Sequence, residues 1–171
     1  MSLIPVSRGL MFLALALGAG ACSSGPASPK SSGGGPLRLE PLTVDGTLVG
    51  ERYSGLTTRE RLVVRDGAAW ASLWSQITAH VQPTPALPAV DFGREQLIVV
   101  SSGTKPTGGY GIDVAEVREA EGALHVVVRE TAPGDRCMTT AALTAPVAVV
   151  RVPRSDARVV FEERQVTVDC D

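Results

Sequence analysis

One segment of this chain carries a helical period, and the apolar runs around it read as strands. Trp70, Leu73, Trp74 and Ile77 fall at i, i+3, i+4 and i+7, behind Asp66, a residue suited to cap a helix N-terminus. That spacing predicts an amphipathic helix over 67–80, with both tryptophans as core anchors beneath a sheet. The other apolar runs are short, β-branched and bounded by turns. They are 37–44 and 47–53 around Asp45-Gly46, 59–65, 96–101, a stretch through Ile112, Val114 and Val117, 124–128 after the turn Glu121-Gly122, 147–152 and 159–168. The run 96–101 is almost continuously apolar, as a central strand requires. Pro153 closes one strand ahead of the turn 154–156, and 82–89 is a proline-rich connector. Seven to nine strands with one helix predict a mainly β fold: a β-sandwich or barrel-like sheet packed by one amphipathic helix.

The N-terminus has a different character. Arg8 precedes the apolar run 10–17, which is too short to span a bilayer but long enough for a secretory signal. Gly18-Ala19-Gly20-Ala21 then lead into Cys22. This resembles the lipobox of bacterial lipoproteins, with Ala19 where Leu is usual. The resemblance implies cleavage after residue 21, lipidation (including a palmitate-type acyl chain) of Cys22, and anchoring of the protein to the cell envelope. Ser23 rather than Asp follows the cysteine, which favours the outer membrane where there is one. The alternative is an ordinary secretory signal with an incidental cysteine. Residues 22–36 are rich in Ser, Gly and Pro and read as a flexible tether. The domain organisation is then 1–21 signal, 22–36 tether and 37–171 folded domain.

Removing the signal leaves about 150 of the 171 residues, enough for one domain with a real core. The chain's net charge of −2 comes without a Lys/Arg cluster, so the electrostatic footprint of nucleic-acid binding is missing. With Cys22 lipidated, Cys137 and Cys170 form an even pair, which an oxidising compartment would join as a disulfide; the alternative is two free buried thiols.

The catalytic inventory is thin. His80 sits at the predicted helix end and His125 within a strand. Neither belongs to a metal-binding spacing, and no nucleophile elbow is present. Glu162 and Glu163 would point to opposite faces of one strand and so cannot converge. No catalytic residue, metal or cofactor is expected. A lipid-tethered hydrolase or sugar-binding module would rest on His125 and nearby acidic residues alone.

The segment with a mechanism is Gly103-Thr104-Lys105-Pro106-Thr107-Gly108-Gly109-Tyr110. It joins two strong strands and has glycines that admit close backbone approach. Thr107, Gly108, Gly109 and Tyr110 are the candidate binding residues; the plainer reading is a connection whose glycines satisfy geometry while Tyr110 packs on the sheet.

Val90-Asp91-Phe92, the run 96–101, Thr107-Gly108-Gly109-Tyr110, Thr144-Ala145-Pro146 and Val152-Pro153-Arg154, in that order, resemble the C-terminal domain of the PrcB family. The helix of Trp70 and Trp74 fits the same pattern. The resemblance covers roughly 59–170. It implies an accessory lipoprotein subunit of a secreted bacterial protease complex, acting in assembly rather than catalysis, and carries over no catalytic residue. Residues 105–110 are also similar to the Asn-Pro-Thr-Thr-Gly-Tyr loop of chagasin-type protease inhibitors, with Lys in place of Asn and the Thr-Thr pair altered. The expectation is a non-enzymatic, lipid-anchored envelope protein that binds another envelope or secreted protein such as a protease. The alternatives are an inhibitor using the same loop, or a stand-alone envelope binding module.

Overall fold

The computed structural model describes residues 33–42 and 52–170. Cys22, the signal segment and the turn at Asp45-Gly46 lie outside them. The elements in chain order are β1 Gly33–Pro36, β2 Glu40–Pro41, β3 Arg59–Val64, α1 Gly67–Ile77, β4 Glu95–Ser102, β5 Gly111–Ala120, β6 Ala123–Pro133, β7 Val147–Pro153 and β8 Arg158–Val168. They build two four-stranded sheets, ordered β2-β7-β4-β3 and β1-β5-β6-β8. The sheets face each other as a sandwich and do not close into a barrel. Neighbouring strands are antiparallel except β6 and β8, which are parallel. Gly33–Pro36 falls within the segment read as tether and pairs with β5.

α1 makes a third layer. Asp66 takes an extended conformation and its Oδ1 accepts from Ala69 N at 2.8 Å, satisfying one of the helix's orphan donors. Trp70, Leu73, Trp74 and Ile77 are all buried, packed with Leu97 and Val99 of β4 and Val147 and Val149 of β7. The tryptophan rings lie 5.2 Å apart, tilted. The proline-rich connector closes over them: Trp70 Nε1 donates to Pro88 O at 3.0 Å and Trp74 Nε1 to Pro85 O at 3.2 Å. Their polar edges are thereby satisfied inside an apolar layer. The helix stops at Ile77, three residues short of the expected end. Thr78 folds its hydroxyl back onto Trp74 O at 2.8 Å, a local bond that competes with continued helix.

β4 explains its own composition. Its odd residues Leu97 and Val99 meet α1; its even residues Ile98 and Val100 meet the second sheet. With both faces covered and neighbours on both edges, every position from Gln96 to Ser102 is buried. The inter-sheet core joins Ile98, Val100, Val150 and Val152 to Val114, Val117, Leu124, Val126 and Val128. Val114 and Val117 both face inward, although three residues apart, because the β5–β6 register shifts between Val114 and Glu116. The hairpin turns through Glu121 at φ 53° and Gly122 at φ 71°, the left-handed pair a tight two-residue turn needs.

The two flanks of the sandwich are sealed differently. On one, the chain crosses between the sheets through Leu37 and Leu39, which pack on the inter-sheet core, and Leu37 N donates to Val117 O at 2.7 Å. On the other, β3 and β8 stand opposite each other and the seal is ionic.

Candidate protein-contact surface

Two crossover loops share one end of the sandwich. The loop 103–110 leaves β4 and enters β5; the loop 134–146 leaves β6 and enters β7. Both therefore pass from one sheet to the other, side by side. Their backbones are stitched together. Lys105 N donates to Thr144 O at 2.7 Å and Thr144 N to Lys105 O at 3.0 Å. Gly108 N donates to Thr140 O at 3.0 Å, and Thr144 Oγ1 to Thr107 O at 2.9 Å. The 103–110 loop is also tied to the strand entering β3, with Thr104 N donating to Thr57 O at 3.1 Å.

The glycines answer to this stitching. Gly108 is buried, and a Cβ there would collide with Thr140 Oγ1. Gly109 lies at φ 83° with Pro133 and Thr139 against it. Of the four candidate binding residues, Gly109 is exposed, Thr107 and Tyr110 are half-buried, and Gly108 is inside. The exposed rim of this loop also includes Thr104 and Pro106. Tyr110 carries Lys105 Nζ 5.7 Å from its ring centre, within cation–π range.

A third segment joins the same end. Cys137 and Cys170 are disulfide-bonded, tying the second loop to the tail that follows β8. Gly134 N donates to Val168 O at 2.9 Å beside the bridge. Between the first loop, the second loop and this tail lies a cleft of about 360 Å3, lined by Tyr53, Gly108, Gly109, Met138, Thr140 and Val168 among others. Large apolar side chains stand out around it: Met138 is fully exposed, Leu143 68% exposed and Val168 48%.

Lys105 connects the loop to an ionic cluster that sequence reasoning missed. Glu130, buried in β6, accepts from Arg59 Nε at 2.9 Å and from Arg61, with Lys105 Nζ at 3.8 Å. Glu163 of β8 pairs with the same two arginines at 2.8 Å. Arg61 also donates to Ser101 O at 2.8 Å. Burial pushes the Glu130 carboxyl up, but hydrogen bonds from Arg59 and Arg61 outweigh it and hold the carboxyl below its ordinary range. Burial works against the Arg61 charge too, and Glu163 and Glu130 overcome it, raising its pKa. The signal was present in the alternation of β6. Leu124, Val126 and Val128 share the core face with Glu130, and a carboxylate at a core position requires cations opposite.

Glu162 and Glu163 do point through opposite faces. Glu162 meets His125 Nδ1 at 2.7 Å and Arg118 at 2.8 Å on the face away from the core. The His125 hydrogen bond, with Arg118 adding, holds Glu162 below the usual carboxylate range. This trio lies on an open sheet face, and none of its members lines the clefts around the loop end, the helix or the β2 edge. His80 is exposed past the helix end. Among the described residues, no group of three or more His, Cys, Asp or Glu is placed to hold a metal ion, and no helix is long and apolar enough to cross a membrane. Cys22 lies outside the described residues.

Comparison with known proteins gives one match. Residues 97–153 fit the family model described as PrcB C-terminal, a span from the third residue of β4 to the last of β7 that contains both crossover loops. No curated protein matches the chain, and no solved structure does. Over residues 97–153 this chain carries the PrcB C-terminal domain that its motifs resemble.

Proposed function

We propose that this is a non-enzymatic, lipid-anchored envelope protein that binds a partner protein, a protease or a complex built around one, through the loop end of its sandwich. The family match supports an accessory role in a protease-related complex. The lipobox-like sequence before Cys22 supports the anchor.

The observation that carries the binding surface is the fixation of exposed apolar side chains. Met138 and Leu143 sit on a loop held by the ladder to 103–110 and by the disulfide. Exposed apolar side chains gathered at one end of a domain suit a protein contact, and a pre-ordered loop loses little entropy on binding. An inhibitor would use the same end. The specific observation in its favour is that the 134–146 loop lies alongside 103–110, so the edge offered to a cleft is two segments wide.

The test is affinity capture of the full-length, tagged protein from detergent-solubilised envelopes, with mass spectrometry of what co-purifies. The control bait carries replacements at Met138, Leu143 and 107–110. A protease enriched by the native bait and lost with the control supports the reading; a bait that captures nothing removes it. Stoichiometric inhibition of the captured protease separates inhibitor from accessory subunit.

A further inference from the structure

β8 is the longest open edge among the described residues. It runs 11 residues and has a strand partner, β6, on one side only. Edges are normally blunted by shortness, proline, bulges or charged side chains, and of these β8 carries the charges alone, at Arg158 and at Glu162, Glu163 and Arg164. The edges β1 and β2 are four and two residues long and end in Pro36 and Pro41. β8 has no proline, and its register with β6 runs unbroken from Arg158 to Val168. Its second half is exposed, Val166 at 39%.

The register fixes which side chains this edge offers. Val160, Glu162, Arg164 and Val166 align with His125, Val127, Arg129 and Thr131, on the face away from the core. That series reads the same in both directions about Glu163, with the charges exchanged. Two copies of β8 laid antiparallel about Glu163 therefore place Val160 opposite Val166 and Glu162 opposite Arg164, each pair twice. On the core side Glu163 faces its own copy, but each Glu163 already pairs with Arg59 and Arg61 at 2.8 Å, so no unpaired like charges meet. The complementarity holds for a copy of the same strand and for that one register.

We infer that β8 is the seam of a homodimer in which the two β1-β5-β6-β8 sheets join edge to edge across a two-fold axis at Glu163. The interface is isologous and self-limiting, and it consumes the longest open edge of the sandwich. It lies on the flank of the molecule and does not depend on the function proposed for the loop end.

Native mass spectrometry of the full-length protein released from detergent, over a concentration series, reads the oligomer directly. The wild type is expected as a dimer. Arg164→Glu and Glu162→Arg each set like charges opposite one another and are expected as monomers. Mixed one to one, the two variants regain both opposite-charge pairs and are expected to form the heterodimer. A monomeric wild type, a dimeric Arg164→Glu, or variants that stay monomeric on mixing would each overturn the seam. Hydrogen exchange on the wild type needs no variant: amides over 160–166 gain protection with concentration if the seam forms, and unchanged protection refutes it.

Discussion

Arg61 of β3 and Glu130 of β6 meet across the gap between the two sheets, at the centre of the ionic cluster that borders the hydrocarbon core. The pair is anchored at both ends, since Arg61 also holds Glu163 and Ser101 O while Glu130 also holds Arg59. Glu130→Gln removes the shared carboxylate and leaves the Arg61 guanidinium, 13% exposed, with Glu163 as its one remaining carboxylate. Removing one partner of a buried pair costs about 3–5 kcal/mol, and the surviving Glu163 reduces this to about 2–3 kcal/mol. Urea unfolding of wild type and variant measures the difference; a loss below about 0.5 kcal/mol, the range of neutral surface changes, would remove the cluster as a seal.

The same cluster sets an acid limit. The native Glu130 carboxyl lies below its ordinary value, so the unfolded chain takes up the proton first as pH falls. The stabilisation is complete above about pH 4.5 and is lost as pH drops through the native value. Glu162 shifts in the same direction and adds to the slope. Thermal melts from pH 7 to pH 3 are expected to show a steeper acid fall for wild type than for Glu130→Gln, and parallel curves would contradict the assignment.

Asp66→Ala takes away the side-chain acceptor for Ala69 N at the start of α1. The expected loss is about 1 kcal/mol, with the Asn variant close to wild type. Far-ultraviolet circular dichroism and denaturant midpoints distinguish the two, and an Ala variant as stable as wild type would show that tertiary packing alone holds the helix end.

Period and burial made the fold legible. The spacing of Trp70, Leu73, Trp74 and Ile77 names a helix face without reference to any other residue, and the unbroken apolar run of β4 names a strand covered on both sides. The Cys137–Cys170 bridge was also readable, because the expected export and lipidation of Cys22 would leave these two as one pair in an oxidising compartment. What stayed hidden depends on pairing between distant strands. The parallel β6–β8 register places Glu130 and Glu163 within reach of the same arginines, and no local pattern encodes that register. The candidate loop was found by its glycines, but their reason is the 134–146 loop packed against them, and that neighbour is not local either.

Cys137→Ser with Cys170→Ser opens a loop spanning 33 residues in sequence separation. The chain-entropy model gives about 3–4 kcal/mol for a loop of that size. The bridge pins the second crossover loop to the tail after β8, so the loss is expected to appear first as faster hydrogen exchange at 134–146. Denaturant midpoints with and without reductant check the magnitude, and equal midpoints would show that the ladder to 103–110 holds the loop by itself.

Gly108→Ala and Met138→Ser separate architecture from contact at the loop end. A Cβ at residue 108 runs into Thr140 Oγ1, so the Thr140 side chain must turn away or the two loops part. The expected loss is about 1–3 kcal/mol, with weaker partner capture as a consequence of the displaced ladder. Met138 is fully exposed and touches no core, so its Ser variant is expected to melt within about 0.5 kcal/mol of wild type. It removes an apolar anchor from the surface and should lower partner capture several-fold with the fold intact. Thermal melts alongside the envelope capture give both readouts from one preparation. If Met138→Ser captures as well as wild type while Gly108→Ala does not, the contact lies on the 103–110 rim at Thr104, Pro106 and Gly109. If both capture normally, the partner does not use this end of the sandwich.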